Sequence, residues 1–107
     1  MTTFDKREDA FEKQFVHDEE LKFKAEARRN RLLGLWVAEK LGKTGSEAEA
    51  YAKEVVAAEI DAAGEKGVVK KILGDLAAKN VAIGDAEISA KMNELMVAAI
   101  AQVKAGV

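Results

Sequence analysis

The residues best suited to binding chemistry form a basic cluster near the end of the first third of the chain. Arg28, Arg29 and Arg31 lie close together, and Trp36 follows five residues after Arg31. A guanidinium presents planar donors that match a phosphate group, and an indole ring can stack on a nucleobase. Arg28, Arg29 and Trp36 are therefore our candidate residues for a nucleotide site. A second interpretation stays open, in which the arginines form a solvated face and Trp36 is the main core aromatic.

The only histidine lies beside a run of carboxylates. His17 is followed directly by Asp18, Glu19 and Glu20. Neighbouring carboxylates raise the pKa of an imidazole, so one interpretation of this stretch is a pH-sensitive group. Consecutive side chains on a helix point in different directions, so the run does not predict a metal site.

The composition excludes several classes of catalytic site. The 107 residues include no cysteine, no proline and one histidine. Without cysteine there is no disulfide, no thiolate zinc site and no cysteine nucleophile. The sequence also lacks a P-loop and the glycine motif of dinucleotide-binding proteins. We predict that the protein is not an enzyme, has no catalytic residue and no metal, and requires no cofactor.

Charge and hydropathy bear on the partners and the location. The 17 basic and 19 acidic residues give a formal net charge of −2, which does not favour binding to nucleic acid. No stretch approaches the roughly 18 apolar residues that cross a bilayer, and the N-terminus lacks the apolar region of a signal peptide. We expect a cytoplasmic protein that does not insert into the membrane and is monomeric when free.

The elements that position these residues are predicted to be helices. Alanine, glutamate, lysine and leucine are abundant, and these residues favour helix where proline is absent. Apolar residues at helical spacing, separated by glycines and capping residues, predict an all-α four-helix bundle with short loops. The predicted helices run from about residue 3 to 41, from the Thr44–Glu49 capping region to about 64, from about 68 to 80, and from Asp85 as N-cap to 106.

The phenylalanines are concentrated at the start of the chain, where charged residues are also most frequent. At about 100° per residue, Phe4, Phe11 and Phe15 fall in one stripe roughly 40° wide. Phe23 lies about 80° away, on the side of Val37, where we expect the bundle to pack. The stripe is thus out of register with the expected core face, which predicts a first helix that is extended or kinked.

This pattern divides the chain into two parts. Residues 1–18 are predicted to be a mobile or loosely docked segment that places its phenylalanines in a groove of a partner. Residues 19–107 are predicted to form the bundle domain. The alternative, in which the three phenylalanines fold back and complete the core, stays open at this point.

The N-terminal motifs resemble those of a known family. The chain is similar to the zeta subunit of alphaproteobacterial F-type ATP synthases, a small inhibitor of the ATPase. The motifs that carry the resemblance are Thr3-Phe4-Asp5-Lys6-Arg7-Glu8, Phe11-Glu12-Lys13-Gln14-Phe15, His17-Asp18-Glu19-Glu20-Leu21, Arg28-Arg29-Asn30 and Leu32-Leu33-Gly34-Leu35-Trp36.

The resemblance implies a four-helix bundle with an N-terminal inhibitory segment. In this family the segment is understood to enter a catalytic α/β interface of the ATPase head and to block ATP hydrolysis. The implied partners are the α and β subunits and the central stalk, at the cytoplasmic face of the inner membrane. ADP or ATP bound to the bundle is implied as a regulatory ligand. The residues that match the inhibitory stretch are Phe4, Lys6, Arg7, Phe11 and Phe15.

Two other functions remain open on the sequence. One is a nucleotide-sensing regulatory bundle in which the N-terminus only packs, so that removing it would weaken the fold. The other is a helical adaptor that self-associates through its phenylalanine stripe. Neither would insert directly into the ATPase.

Overall fold

The described part of the protein is a bundle of four α-helices. The computed structural model describes residues 19–61 and 64–106, and no strand occurs in these two ranges. The all-α four-helix prediction is confirmed. The predicted N-terminal segment, residues 1–18, lies outside the described residues. The helices are α1 (Glu19–Lys40), α2 (Gly45–Asp61), α3 (Glu65–Ala78) and α4 (Asp85–Ala105).

Helix α1 is the centre of the bundle. It packs along both α2 and α4, whereas α3 packs mainly on α2 and contacts α1 and α4 less extensively. All four helices contribute to one apolar core, which removes their buried faces from water. A second, smaller cluster joins the first half of α1 to the second half of α4 through Ala25 and Ile100. The main core consists of Leu33, Val37, Ala38, Tyr51, Val55, Val68, Ile72, Leu76, Ile88 and Met92.

The helix ends follow the glycine and asparagine signals of the sequence. Gly42 and Asn80 both adopt positive φ, at 77° and 59°, directly after α1 and α3. After each of them the chain reverses, and the amides of Lys43 and Val81 donate to carbonyls five residues earlier, at 2.9 Å. This is the hydrogen-bond pattern that ends many helices at a left-handed residue.

The start of α4 differs from the prediction by one residue. Gly84, not Asp85, is the N-cap, and its backbone is extended. The Gly84 carbonyl accepts the first helical hydrogen bond, from the amide of Ile88 at 3.2 Å. Asp85 therefore lies inside the first turn, where its carboxylate accepts a bond from the hydroxyl of Ser89. Its negative charge still suits the helix N-terminus.

The prediction that Phe23 lies on the core face is wrong, because its side chain is 61% exposed. The first half of α1 packs on α4 through Ala25, which lies about 160° around the helix from Phe23. Only the second half of α1 buries the Val37 side, against the main core. The buried face of α1 changes along the helix. A stripe of apolar residues identified in its C-terminal half therefore does not show which residues are buried near its start.

Candidate functional site

The basic cluster of the sequence contains a buried ion-pair network centred on Arg29. The Arg29 side chain is almost fully enclosed, and each of its three nitrogens donates a hydrogen bond. Nη1 contacts the Glu65 carboxylate at 2.7 Å, Nη2 contacts Glu59 at 3.1 Å, and Nε contacts Asn30 Oδ1 at 3.1 Å. The Asn30 amide in turn donates to Glu59 at 2.7 Å. One guanidinium thereby ties α1 to the end of α2 and the start of α3.

A third carboxylate lies at the edge of this network. Burial raises the pKa of Glu26 above its ordinary value, and the negative charge of Glu59 raises it further. Lys22 and Arg29 oppose this rise without cancelling it. The folded chain therefore favours the protonated form of the Glu26 carboxyl.

Arg28 points to a different side of α1 from Arg29. Its Nη1 donates to Gln102 Oε1 at 3.2 Å, which links α1 to the last turns of α4. Gln102 is neutral, so the Arg28 charge has no carboxylate partner among the contacts of the described residues. An anion at this position would therefore not have to compete with a carboxylate of the bundle.

Trp36 is partly buried and packs against the main core, whereas Tyr51 is the aromatic residue among its buried members. Two ammonium groups, of Lys40 and Lys91, each lie 5.5 Å from the centroid of the Trp36 ring. This is the distance range of a cation–π contact. Lys91 also pairs with Glu94 at 3.3 Å.

The three candidate nucleotide residues therefore have separate surroundings in the folded chain. Trp36 lies seven residues after Arg29, which is a rise of about 10 Å along a helix. Arg29 is engaged by two carboxylates, Arg28 by Gln102, and Trp36 by two lysines. Within the two described ranges, no group of three or more metal-ligating side chains could hold an ion.

The largest exposed apolar feature near the start of α1 surrounds Phe23. A groove of about 640 Å³ between α1, α2 and the end of α4 lies on one side of this ring. A second groove of about 390 Å³ lies on the other side, towards Ile60. Ala27 and Val56 line both grooves, so the two form one surface with Phe23 as its ridge.

The family relationship rests on nearly the whole chain. The family described as ATPase inhibitor subunit zeta matches residues 1–102. The chain belongs to this family. The match includes the N-terminal motifs, so the resemblance identified from the sequence is confirmed. Zeta-family membership gives the chain the role of an ATPase inhibitor, with the ATP synthase as its partner, which is a regulatory role.

One solved structure supports the fold independently. A solution NMR structure is 53% identical to this zeta-family chain, with a TM-score of 0.71. The alignment covers 81% of this chain and 99% of that chain. No curated protein matches the chain. Among the described residues, no helix has the length and apolar character to cross a membrane.

The inhibitory residues expected from the sequence all belong to the segment before α1. Phe4, Lys6, Arg7, Phe11 and Phe15 lie outside the described residues, so their contacts remain predictions.

Sequence reasoning missed the carboxylates that hold Arg29. A signal for one of them was present, because Glu59 follows Ala52 and Val55 at helical spacing and so belongs to the buried face of α2. No local signal pairs Glu59 with Arg29, since the two residues lie 30 positions apart.

Proposed function

We propose that the protein inhibits ATP hydrolysis by inserting residues 1–18 at a catalytic α/β interface of the ATPase head. The observation that carries this proposal is the family match, which extends through these residues and through the bundle. The described bundle has its own core between Ala25 and Ile100. Within the described part, every buried side-chain nitrogen and oxygen has a hydrogen-bond partner. A bundle of this kind can hold an effector segment without depending on it.

The energetics of insertion are favourable in principle. Ordering a segment on binding costs about 2–5 kcal/mol. Each fully buried phenylalanine contributes about 1.5–3 kcal/mol, so Phe4, Phe11 and Phe15 together are sufficient in principle to offset that cost. The charges of Lys6 and Arg7 would act mainly on partner selection and association rate. The inserted segment would contact the α and β subunits and the central stalk. It would stop rotation in the hydrolysis direction, at the cytoplasmic face of the inner membrane.

The experiment compares the intact chain with a version that lacks residues 1–18. Both are assayed for inhibition of ATP hydrolysis by the cognate ATPase head, and the thermal melting of each is recorded. We expect inhibition to vanish and the melting temperature to stay nearly unchanged. The double variant Phe11→Ala with Phe15→Ala should behave like the truncation.

Two outcomes would contradict the proposal. A large loss of bundle stability on truncation would mean that the phenylalanines belong to the core, as the nucleotide-sensing alternative requires. A truncated chain that still inhibits as strongly as the intact chain would locate the effector in the bundle itself.

We propose further that ADP or ATP binds the bundle and modulates inhibition, with Arg28 as the main phosphate contact. The support for this is the Arg28 guanidinium, whose hydrogen-bond partner is the neutral Gln102 rather than a carboxylate. Arg29 would have to release Glu65, whose side chain is 64% exposed, before it could contact a phosphate. The ligand would affect Trp36 through Lys40 and Lys91, whose ammonium groups lie over its ring.

Trp36 is the only tryptophan, so its fluorescence reports nucleotide binding directly. Titration with ADP and ATP should give a saturable change. Arg28→Gln should weaken binding about tenfold or more, because a charge-assisted hydrogen bond contributes about 1.5–3 kcal/mol. Lys53→Gln, on the exposed face of α2, is the matched control. Equal affinities for both variants and the parent chain would remove Arg28 from the site.

A further inference from the structure

Two large apolar side chains at the start of the bundle are exposed and line the same groove. Phe23 is 61% exposed and Ile60 is 69% exposed, although both are large apolar residues. They border the two grooves described above, which share Ala27 and Val56 as floor. We call the surface formed by Leu21, Phe23, Ala27, Val56 and Ile60 the Phe23 face. Contiguous apolar patches of this kind mark interaction sites.

The charges around the Phe23 face are arranged unevenly. The larger groove is lined by three cations, Lys24, Arg28 and Arg31, and no carboxylate lines it. Two of these cations have exposed partners, since Lys24 pairs with Glu20 and Arg31 with Glu49. The smaller groove is lined instead by Glu26 and Glu59. A ligand that fits the larger groove would present apolar side chains next to carboxylates.

The position of this surface indicates where the ligand comes from. Helix α1 begins at Glu19, directly after residues 1–18, and Phe23 lies within its first two turns. A partner that holds residues 1–18 therefore contacts the chain immediately before the start of α1, within a few residues of Phe23. Of the described apolar surfaces, the Phe23 face is the one that follows the proposed inhibitory segment most directly along the chain.

We propose that the Phe23 face is a second docking surface, which binds an amphipathic, acidic helix on the outside of the ATPase head. The inference rests on the proposed function, because it takes the ATPase head as the partner. Phe23 inserts between apolar side chains of that helix, and Lys24 and Arg31 contact its carboxylates. The bundle is thus an active part of the complex and lengthens its lifetime.

The test uses the full chain and measures binding to the isolated cognate ATPase head by surface plasmon resonance. Phe23→Ala should weaken binding about tenfold, mainly through faster dissociation, as expected for an aromatic anchor. Ile60→Ala should act in the same direction with a smaller effect. Val97→Ala is the matched control, because Val97 is a 54% exposed apolar residue of α4 that lines neither groove. Since Phe23 is largely exposed, Phe23→Ala should have the same melting temperature as the parent chain.

A charge variant tests the second half of the proposal. Lys24→Glu combined with Arg31→Glu should slow association, and the difference from the parent chain should shrink at high salt. Lys53→Glu with Lys79→Glu, on exposed positions away from the grooves, makes the same charge change elsewhere. An equal effect of the two charge variants would overturn the assignment of the carboxylate contacts.

The remaining outcomes separate the competing occupants of the face. Unchanged binding by both Phe23→Ala and Ile60→Ala overturns the inference while leaving the inhibitory segment intact. Stronger binding by Phe23→Ala would mean that residues 1–18 occupy the face in the free chain. A dimer of the parent chain in sedimentation, lost in Phe23→Ala, would make a second copy the occupant. Failure of the parent chain itself to inhibit or bind the head would instead refute the proposed function.

Discussion

At Arg29, one side chain links the middle of α1 to the end of α2 and the start of α3. A guanidinium buried in a small bundle has lost most of its hydration, which is costly unless every donor is engaged. Glu59, Glu65 and Asn30 provide that engagement. Apolar residues of similar volume could give equal stability, but they would not fix the position of the α2–α3 turn so closely. The network therefore acts chiefly on the geometry of this end of the bundle.

Arg29→Met should lower the free energy of unfolding by about 3 kcal/mol, because it leaves Glu59 partly buried without its cation. Arg31→Met is the matched control, since the Arg31–Glu49 pair is about half exposed on both sides. The control should cost less than about 1 kcal/mol. Urea denaturation of both variants measures the difference. Equal losses would show that the buried network contributes no more than a surface pair.

Glu26 gives stability a defined pH dependence. Its pKa is raised in the folded chain by burial and by Glu59, so the folded state favours the protonated carboxyl. Its contribution is therefore most favourable below its unfolded pKa and is lost as the pH rises through the folded pKa. Glu26→Gln removes the buried charge, and should raise the melting temperature at pH 7. The difference from the parent chain should disappear near pH 4, and a difference that grows on acidification would contradict this assignment.

At the scale of the elements, the contact between α1 and α2 depends on a missing side chain. A Cβ on Gly34 would lie 2.6 Å from the Cα of Ala52 and 3.3 Å from the Cβ of Val55. The helices approach this closely only because glycine stands at position 34. The close approach lets the second half of α1 bury Leu33 and Val37 against the main core.

Gly34→Ala should therefore destabilise the bundle by about 1–3 kcal/mol through overpacking, despite the better helix propensity of alanine. Gly74→Ala is the matched control, because Gly74 lies within α3 and nothing would lie within 4 Å of its Cβ. That change should stabilise by about 0.5–1 kcal/mol. Thermal and chemical denaturation measure both variants. If both variants change the free energy of unfolding in the same direction, the α1–α2 contact can adjust to an added methyl group at little cost.

At the scale of the whole molecule, the bundle has two unequal apolar centres. The main core draws on all four helices, whereas the second cluster joins only α1 and α4. Its buried members are Ala25 and Ile100, with Leu21, Met96 and Val103 packed against them. This smaller cluster lies at the end of the bundle that carries the Phe23 face, next to the start of α1.

Native-state hydrogen exchange should distinguish the two ends. Amides from about residue 25 to 29 in α1 should exchange through a partial opening, because few apolar contacts hold this region. Amides from about residue 33 to 38 should exchange only through global unfolding. Ile100→Ala should lower the protection of the first group much more than that of the second. Equal protection throughout α1 would show that the bundle opens as one unit.

The helical class and the four helices of the described residues could be predicted from the sequence alone. The sequence also predicted most helix boundaries, because apolar spacing, Gly42 and Asn80 act locally and do not depend on tertiary contacts. The family could be read from the N-terminal motifs for the same reason. Residues such as Phe11 and Phe15 carry their pattern whether or not the bundle has formed.

Which charged and apolar residues are buried depends on how the four described helices pack together. Arg29 is buried and Phe23 is exposed, the reverse of what side-chain polarity favours. Arg29 is held by carboxylates more than 25 positions away, and Phe23 lies where α1 turns its other face to α4. Helical periodicity describes one helix at a time, whereas burial depends on where its neighbours lie. For that reason the buried network and the Phe23 face emerge only once all four helices are in place.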